Sequence, residues 1–189
     1  MINKMINKRV NLSQWINENT VGSTSVVELG AGFFRRLADV HSSVKTRIGI
    51  EIYQPYIDNA TFHNCIKIQG DALKYRELLI GYDLDTVMIV DVLEHFEKEV
   101  GYKWIDNLKQ DFRKILLMLP TGKFEQHEDV TGFGGHEYQT HRSYWYVEDI
   151  EKLQFTQDVI DPAFHSPHHG GKILNTDTAC YFGIWEKRI

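Results

Sequence analysis

The chain has 189 residues, 42% of them hydrophobic, which suits a single globular domain with a substantial core. Its formal net charge of -5 disfavours a nucleic-acid partner or an anionic membrane surface. Two cysteines, Cys65 and Cys180, are too few for a disulfide framework, and no apolar run approaches the roughly twenty residues that cross a bilayer. We therefore expect one cytoplasmic domain over residues 1–189 without membrane contact, and the oligomeric state stays open.

Helix-like and strand-like segments alternate along the chain. Helices are expected at 1–20, 33–41, 54–60, 72–82, 98–112 and 147–153. Strands are expected at 26–28, 46–51, 65–68, 84–91, 113–119, 155–160 and 178–185. This alternation predicts an α/β fold with a doubly wound, mostly parallel sheet of seven strands. The last two strands have no helix between them, so the final strand should be antiparallel.

A glycine corner follows the first predicted strand. Glu28 ends the apolar run, and Gly30 and Gly32 come before the next predicted helix. Glycine tolerates positive φ and lets the backbone approach a ligand closely. The first amides of a helix are unpaired donors that favour a negative group. The corner therefore predicts a site for a nucleotide-like cofactor.

Three later apolar runs also stop near an acid. The second ends on Glu51, the third leads into Gly70-Asp71-Ala72, and the fourth ends on Asp91. An acid at the tip of the second strand accepts hydrogen bonds from ribose hydroxyls in nucleotide-binding βαβ units. Because ligands bind at the carboxyl ends of such strands, these acids are expected to face one site.

These motifs together resemble the class I S-adenosylmethionine-dependent methyltransferases over nearly the whole chain. Glu28-Leu29-Gly30-Ala31-Gly32 is similar to the E-x-G-x-G motif of that family, and Gly70-Asp71-Ala72 to its adenine-binding turn. Asp91-Val92-Leu93-Glu94-His95-Phe96 is similar to the D-x-L-E-H-h segment of its small-molecule members. The resemblance implies S-adenosylmethionine as cofactor and methyl transfer to a small-molecule acceptor.

The resemblance also implies residue roles around the cofactor. Gly30 and Gly32 would line the turn beneath the methionine moiety, and Glu28 would order that turn and reach the amino group through water. The other implied contacts are Glu51 on the ribose, Ile52, Asp71 and Ala72 on adenine, and Asp91 and Leu93 along the methionine portion. The family usually has a small residue where this chain has Phe34, so a ring there is expected to narrow the methionine end of the pocket.

Two related readings of the same motifs fail on the residues present. A dinucleotide fingerprint needs a glycine where this chain has Arg35, which disfavours a dehydrogenase. Methyltransferases that act on exocyclic amines resemble one another in an Asn/Asp-Pro-Pro-aromatic turn. This chain has Asp91-Val92-Leu93-Glu94 at that position, which disfavours methylation of exocyclic amines in DNA.

Two polar, aromatic segments at 122–145 and 161–177 are predicted to form the acceptor side, because long loops after strand ends carry ligand contacts. His95, His136 and His141 are the candidate bases, with His141 preferred, since histidine titrates near neutral pH. No metal is expected, although His165, His168 and His169 with Asp161 could supply ligands. The alternatives left open are methylation of a protein or peptide, and cofactor binding or partner interaction without catalysis.

Overall fold

A computed structural model of the chain describes residues 6–127, 131–162 and 179–187. Its centre is one eight-stranded sheet in the order β1-β7-β8-β6-β5-β2-β3-β4. The strands are β1 Ile6–Asn7, β2 Ser25–Leu29, β3 Thr46–Glu51, β4 Ile66–Gln69, β5 Thr86–Val90, β6 Lys114–Thr121, β7 Gln157–Asp161 and β8 Ala179–Glu186. Only β8 runs antiparallel to its neighbours, so the predicted doubly wound sheet with an antiparallel last strand is confirmed. The two-residue β1 is an addition at the edge.

The helices are α1 Leu12–Asn19, α2 Gln54–Asp58, α3 Tyr75–Leu78, α4 Lys98–Asp111, α5 His136–Gln139 and α6 Val147–Lys152. Single 3-10 turns lie at Arg35–Ala38, Ala72–Lys74 and Leu93–His95. The α-helix predicted over 33–41 is absent, since only a 3-10 turn lies there, and the helix predicted over 72–82 is shortened to a 3-10 turn followed by α3. In the first case Phe34 adopts a left-handed φ of 62°, which interrupts a helix. None of the described helices combines the length and apolar character that a membrane span requires.

The amino-terminal segment also differs from the helix predicted over 1–20. Ile6 and Asn7 pair in parallel with β7, and the Lys8 amide donates to the carbonyl of Ile160 over 3.1 Å. The buried Asp161 carboxylate accepts the Val10 amide at 2.8 Å. Asn11 then caps α1 with its side chain. The exposed edge of β7 offers unpaired backbone groups, so the segment pairs with the sheet before its helix begins.

Two apolar layers cover the faces of the sheet, as a parallel sheet requires. One contains α4, with Trp104, Ile105 and Leu108 buried against the strands. The other contains α1, whose Ile16 is fully buried, and the turn after β2. The predicted helix over 98–112 is therefore confirmed.

Phe34 lies in the second apolar layer and not in the methionine end of a pocket, which corrects the expectation drawn from the sequence. Its side chain has no solvent exposure. A Cβ built on Gly49 would lie 2.5 Å from the Phe34 ring, so the ring occupies the space that this glycine of β3 leaves free. Positive φ at Phe34 turns the side chain towards the sheet, away from the ligand side of the turn.

Replacing Phe34 by glycine should destabilise the protein by about 2–4 kcal/mol. Loss of a buried ring costs about 3–5 kcal/mol, and glycine recovers about 1 kcal/mol of left-handed strain. Urea unfolding measures the difference, with Ile80→Ala, at an 80% exposed position, as a control expected within about 0.5 kcal/mol of wild type. A neutral or stabilising Phe34→Gly would contradict the core position of this ring.

Candidate active site

A cavity of about 550 Å³ opens at the carboxyl ends of β2, β3, β4 and β5. The predicted cofactor residues that line it are Glu28, Gly30, Gly32, Glu51, Ile52, Asp71, Ala72 and Asp91. Its volume lies within the roughly 300–1,000 Å³ typical of small-molecule sites. The parallel strands thus bring the separate strand-end motifs to one concave surface, as predicted.

The glycine turn is tied to β3 by its backbone. The amides of Gly30 and Ala31 both donate to the carbonyl of Ile50 at 2.9 Å. Gly30 has a φ of 73°, and a Cβ there would lie 2.6 Å from the Val92 side chain. Only glycine therefore fits this position. The α-helix predicted after the turn is replaced by a 3-10 turn.

Glu51 is held at the end of β3 by two backbone amides. Gly32 donates to one carboxylate oxygen at 2.7 Å and Tyr53 to the other at 2.9 Å. Burial raises the pKa of Glu51, while the hydrogen bonds from the two backbone amides lower it. The carboxylate is thereby oriented in the cavity wall, and its remaining lone pairs can accept further donors.

Glu28 is a buried acid that lacks a donor. It is 2% exposed, and its Oε2 has no hydrogen-bond partner among the residues that the structure describes. Burial raises its pKa well above the ordinary value, against an opposing contribution from Arg36. Because an unsatisfied buried oxygen is costly, this carboxyl group in the cavity wall suits a ligand that brings a donor.

Asp71 and Asp91 approach the cavity from the ends of β4 and β5. Asp71 accepts the Leu73 amide at 2.9 Å and so caps the turn that carries Ala72. Asp91 has a left-handed φ of 54°, and its amide donates to the carbonyl of Met118. The side chain is open to solvent, yet the surrounding protein limits its hydration and raises its pKa to about 6, against the charge of Arg36.

Leu93 does not belong to this wall, which corrects the role implied by the resemblance. Its side chain is fully buried in the layer beneath α4. A Cβ on Gly101 of α4 would lie 3.1 Å from it, so Leu93 packs against that helix. The segment after β5 turns immediately, which points Leu93 into the core and leaves Val92, His95 and Phe96 at the cavity.

The three candidate histidines are placed differently. His95 lines the cavity, and burial, with a contribution from His141, lowers its pKa to about 4. His141, the preferred base, is 7% exposed and does not line the cavity, and its Nδ1 lies 2.7 Å from the carbonyl oxygen of Phe124. His136 begins α5, and its side chain lies outside the described part of the chain.

The segment 122–145, called the excursion below, begins and ends at neighbouring positions. The Gly122 amide donates to the carbonyl of Trp145 at 2.8 Å, and Trp145 is fully buried. Between these ends the excursion supplies a group of polar and aromatic cavity residues: Gln126, Thr131, Glu137, Tyr138, Gln139 and Arg142. The predicted acceptor-side segment therefore faces the same cavity as the strand-end acids.

An aromatic cluster joins this excursion to α2, and three of its members, Phe33, Tyr53 and Tyr56, lie outside the segments that the sequence assigned to the site. Its members are Phe33, Tyr53, Tyr56, Phe133 and Tyr138. Tyr53 donates its hydroxyl to the carbonyl of Phe133 at 2.6 Å, which ties the tip of the excursion to the residues after Glu51. The sequence signal for the α2 part of this cluster was the pair Tyr53 and Tyr56, which follows Glu51.

The alternative metal ligands at the carboxyl-terminal side do not form a described site. Asp161 is buried and bound to the amino-terminal segment, as stated above. His165, His168 and His169, with most of the predicted loop 161–177, lie outside the described residues.

No protein-family model matches the chain, and no curated protein matches its sequence. Among solved structures, the amino-terminal domain of EvdMO1, determined with S-adenosylhomocysteine and D-fucose, aligns at a TM-score of 0.62 and 12% identity over 93% of this chain and 81% of that one. A SAM-dependent methyltransferase from Archaeoglobus fulgidus aligns at 0.57 and 16% identity, over 89% and 88% of the two chains. The [4+2]-cyclase SpnF aligns at a TM-score of 0.63 and 11% identity, over 94% of this chain and 80% of that one. The protein therefore has the class I S-adenosylmethionine-dependent methyltransferase fold.

Proposed function

We propose that the protein binds S-adenosylmethionine and transfers its methyl group to a small-molecule acceptor. The observation that carries this proposal is a single cavity that joins four strand-end acids to the polar residues of the 122–145 excursion. The fold by itself is a weaker argument, because one fold can host different reactions, as the similarity to a cyclase illustrates.

The residues present fit the cofactor by their chemistry. The unpartnered Oε2 of Glu28 suits the amino group of the methionine moiety, which would supply the missing donor. Glu51 is fixed by two amides and keeps acceptor capacity for ribose hydroxyls. Asp71 and Ile52 lie in the same wall for adenine, one as an acceptor and the other as an apolar surface.

The acceptor side is bounded by the excursion and by His95. Thr131 and Gln139 contribute polar groups, and the aromatic cluster closes the wall between the excursion and α2. A cavity of this volume favours a metabolite-sized acceptor over a long peptide groove. We also assign the protein to the cytoplasm, in keeping with the free thiols of Cys65 and Cys180.

When bound, the cofactor supplies an electrophilic methyl group. The protein's contribution is to position the two reactants and to exclude water from the cavity. The aromatic cluster and the pinned excursion serve this purpose. His95 presents a largely neutral imidazole to the acceptor side of the cavity at pH 7, because its pKa is lowered to about 4.

Cofactor binding should weaken when either anchoring acid is truncated. Glu51→Ala should lower affinity for S-adenosylhomocysteine by about 10–100-fold, because a charged hydrogen bond contributes about 1.5–3 kcal/mol. Asp71→Ala should have a smaller effect in the same direction. Isothermal titration gives both values, with Glu77→Ala, an exposed acid outside the cavity, as the matched control. No binding by folded wild-type protein would refute the proposal.

The role of Glu28 can be separated from that of Glu51 with adenosine, which lacks the amino-acid portion. Glu28→Gln should weaken S-adenosylhomocysteine binding and leave adenosine binding nearly unchanged, because only the first ligand reaches the orphaned Oε2. Glu51→Ala should weaken both ligands, since both carry the ribose. Equal losses for both ligands in Glu28→Gln would instead indicate a general disturbance of the turn.

Affinity for S-adenosylhomocysteine should rise with pH through about 6. Asp91 has its pKa raised to about 6, so it is protonated below that pH and ionised above it. The cationic amino group of the ligand favours the ionised carboxylate, and one linked proton changes affinity by at most about tenfold per pH unit. Titrations between pH 5 and 8 should show this slope, and Asp91→Asn should flatten it.

A further inference from the structure

A cluster of three side chains outside the proposed cofactor contacts lies where β5 ends. Glu94, His95 and His141 each present one possible ligand atom, and these atoms all lie within 4.8 Å of one another. The two imidazole rings have centroids 5.0 Å apart, and Nε2 of His141 lies 4.0 Å from Oε1 of Glu94. Because His95 also lines the cavity, the cluster meets the acceptor side there.

The hydrogen bonds of the two histidines fix where their lone pairs are. Nδ1 of His141 lies 2.7 Å from the carbonyl oxygen of Phe124, and Nδ1 of His95 lies 3.2 Å from that of Thr140. A carbonyl only accepts, so each Nδ1 carries the proton and each Nε2 keeps a lone pair. Histidines that bind metals typically donate their other ring nitrogen to a carbonyl in this way.

Glu94 provides the second, independent observation. It is 2% exposed, and its Oε2 has no hydrogen-bond partner within the described ranges 6–127, 131–162 and 179–187. Its backbone carbonyl accepts the amides of Arg142 and Ser143, which holds Glu94 against the strand-like end of the excursion. A buried carboxylate oxygen without a donor is unfavourable unless a cation compensates it.

An ion pair between Glu94 and His141 does not satisfy the cluster. The separation of 4.0 Å is too long for a hydrogen bond. The two side chains therefore do not satisfy each other, whereas one shared cation would contact a ligand atom of each of the three side chains.

We propose that Glu94, His95 and His141 bind one divalent transition-metal ion, such as Mn²⁺ or Zn²⁺, in the wall of the cavity. Two imidazole nitrogens and one carboxylate oxygen favour these ions over Mg²⁺ or Ca²⁺, which prefer oxygen ligands. Metal–ligand bonds of about 2.0–2.2 Å place ligand atoms roughly 3.3 Å apart, so the side chains close in by about 1 Å. Three protein ligands leave a coordination position open.

This site also narrows the acceptor class, a consequence that rests on the proposed function. A hydroxyl oxygen of the acceptor occupies the open position, where the ion lowers its pKa and its proton leaves to solvent water. The acceptor is therefore an alcohol or phenol whose hydroxyl oxygen binds the ion.

Metal binding can be measured without cofactor or acceptor. Wild-type protein freed of metal by a chelator and dialysed should bind one equivalent of Mn²⁺ or Zn²⁺ in calorimetric titration, and Mg²⁺ more weakly. Glu94→Gln and His141→Gln should each lower the affinity by more than about tenfold, since even outer-shell changes reach that size. His63→Gln and Glu99→Gln, at exposed positions away from the cluster, should bind as wild type does.

Urea unfolding confirms that each variant is folded, and His95→Gln, at a less buried position, is the third ligand variant should another fail to fold. The proposal is overturned if wild-type protein binds neither ion, or if the three ligand variants bind them as tightly as wild type. Titration of metal-free protein with S-adenosylhomocysteine is a separate measurement. Cofactor binding without metal binding would refute only the metal site, and metal binding without cofactor binding would refute only the proposed function.

Discussion

The site depends on the parallel register of β2 with its two neighbours. Leu29 pairs with Ile50 on β3 and with Ile89 on β5, so the residues that follow emerge side by side at one edge. A register shift of one residue would send alternate side chains to the opposite face. The bonds from Gly30 and Ala31 to the carbonyl of Ile50 extend this register into the turn. The sheet therefore positions one wall of the cavity.

That register collects acidic groups in a small volume, at the expense of stability. Glu28, Glu51 and Glu94 are all buried with raised pKa values, and desolvation is the largest cause in each case. The amides of Gly32 and Tyr53 partly compensate the burial of Glu51, and a backbone hydrogen bond does so for Glu94. One oxygen each of Glu28 and Glu94 lacks a hydrogen-bond partner among the described residues. These two oxygens support the two proposals, the amino group of the cofactor beside Glu28 and a metal ion beside Glu94. Conflicts between local stability and chemistry of this kind concentrate at functional sites.

The excursion between β6 and α6 links these two sides. Its base is closed by Gly122 and the buried Trp145, while its middle packs through Phe133 on the tyrosines after β3. The same segment presents His141 to Glu94 and places Gln139 at the cavity. The excursion thus forms part of the cavity wall and supplies His141 to the proposed metal cluster. Two sites built by one segment are expected to respond together when it moves.

The sequence by itself determined the alternation of strands and helices, the antiparallel last strand and the strand-end acids around the glycine turn. These follow from local patterns: apolar runs, glycine spacing, and acids at the positions where runs stop. Local pattern did not determine the length of the first crossover, because the left-handed Phe34 and its packing on Gly49 depend on a residue of another strand. It also could not separate Leu93, which is buried, from His95, which faces the cavity. The approach of Glu94 to His141 spans 47 positions (94 to 141) and exists only because the excursion folds back on β5. Tertiary packing decided these features, since each depends on contacts between segments that are distant in the chain.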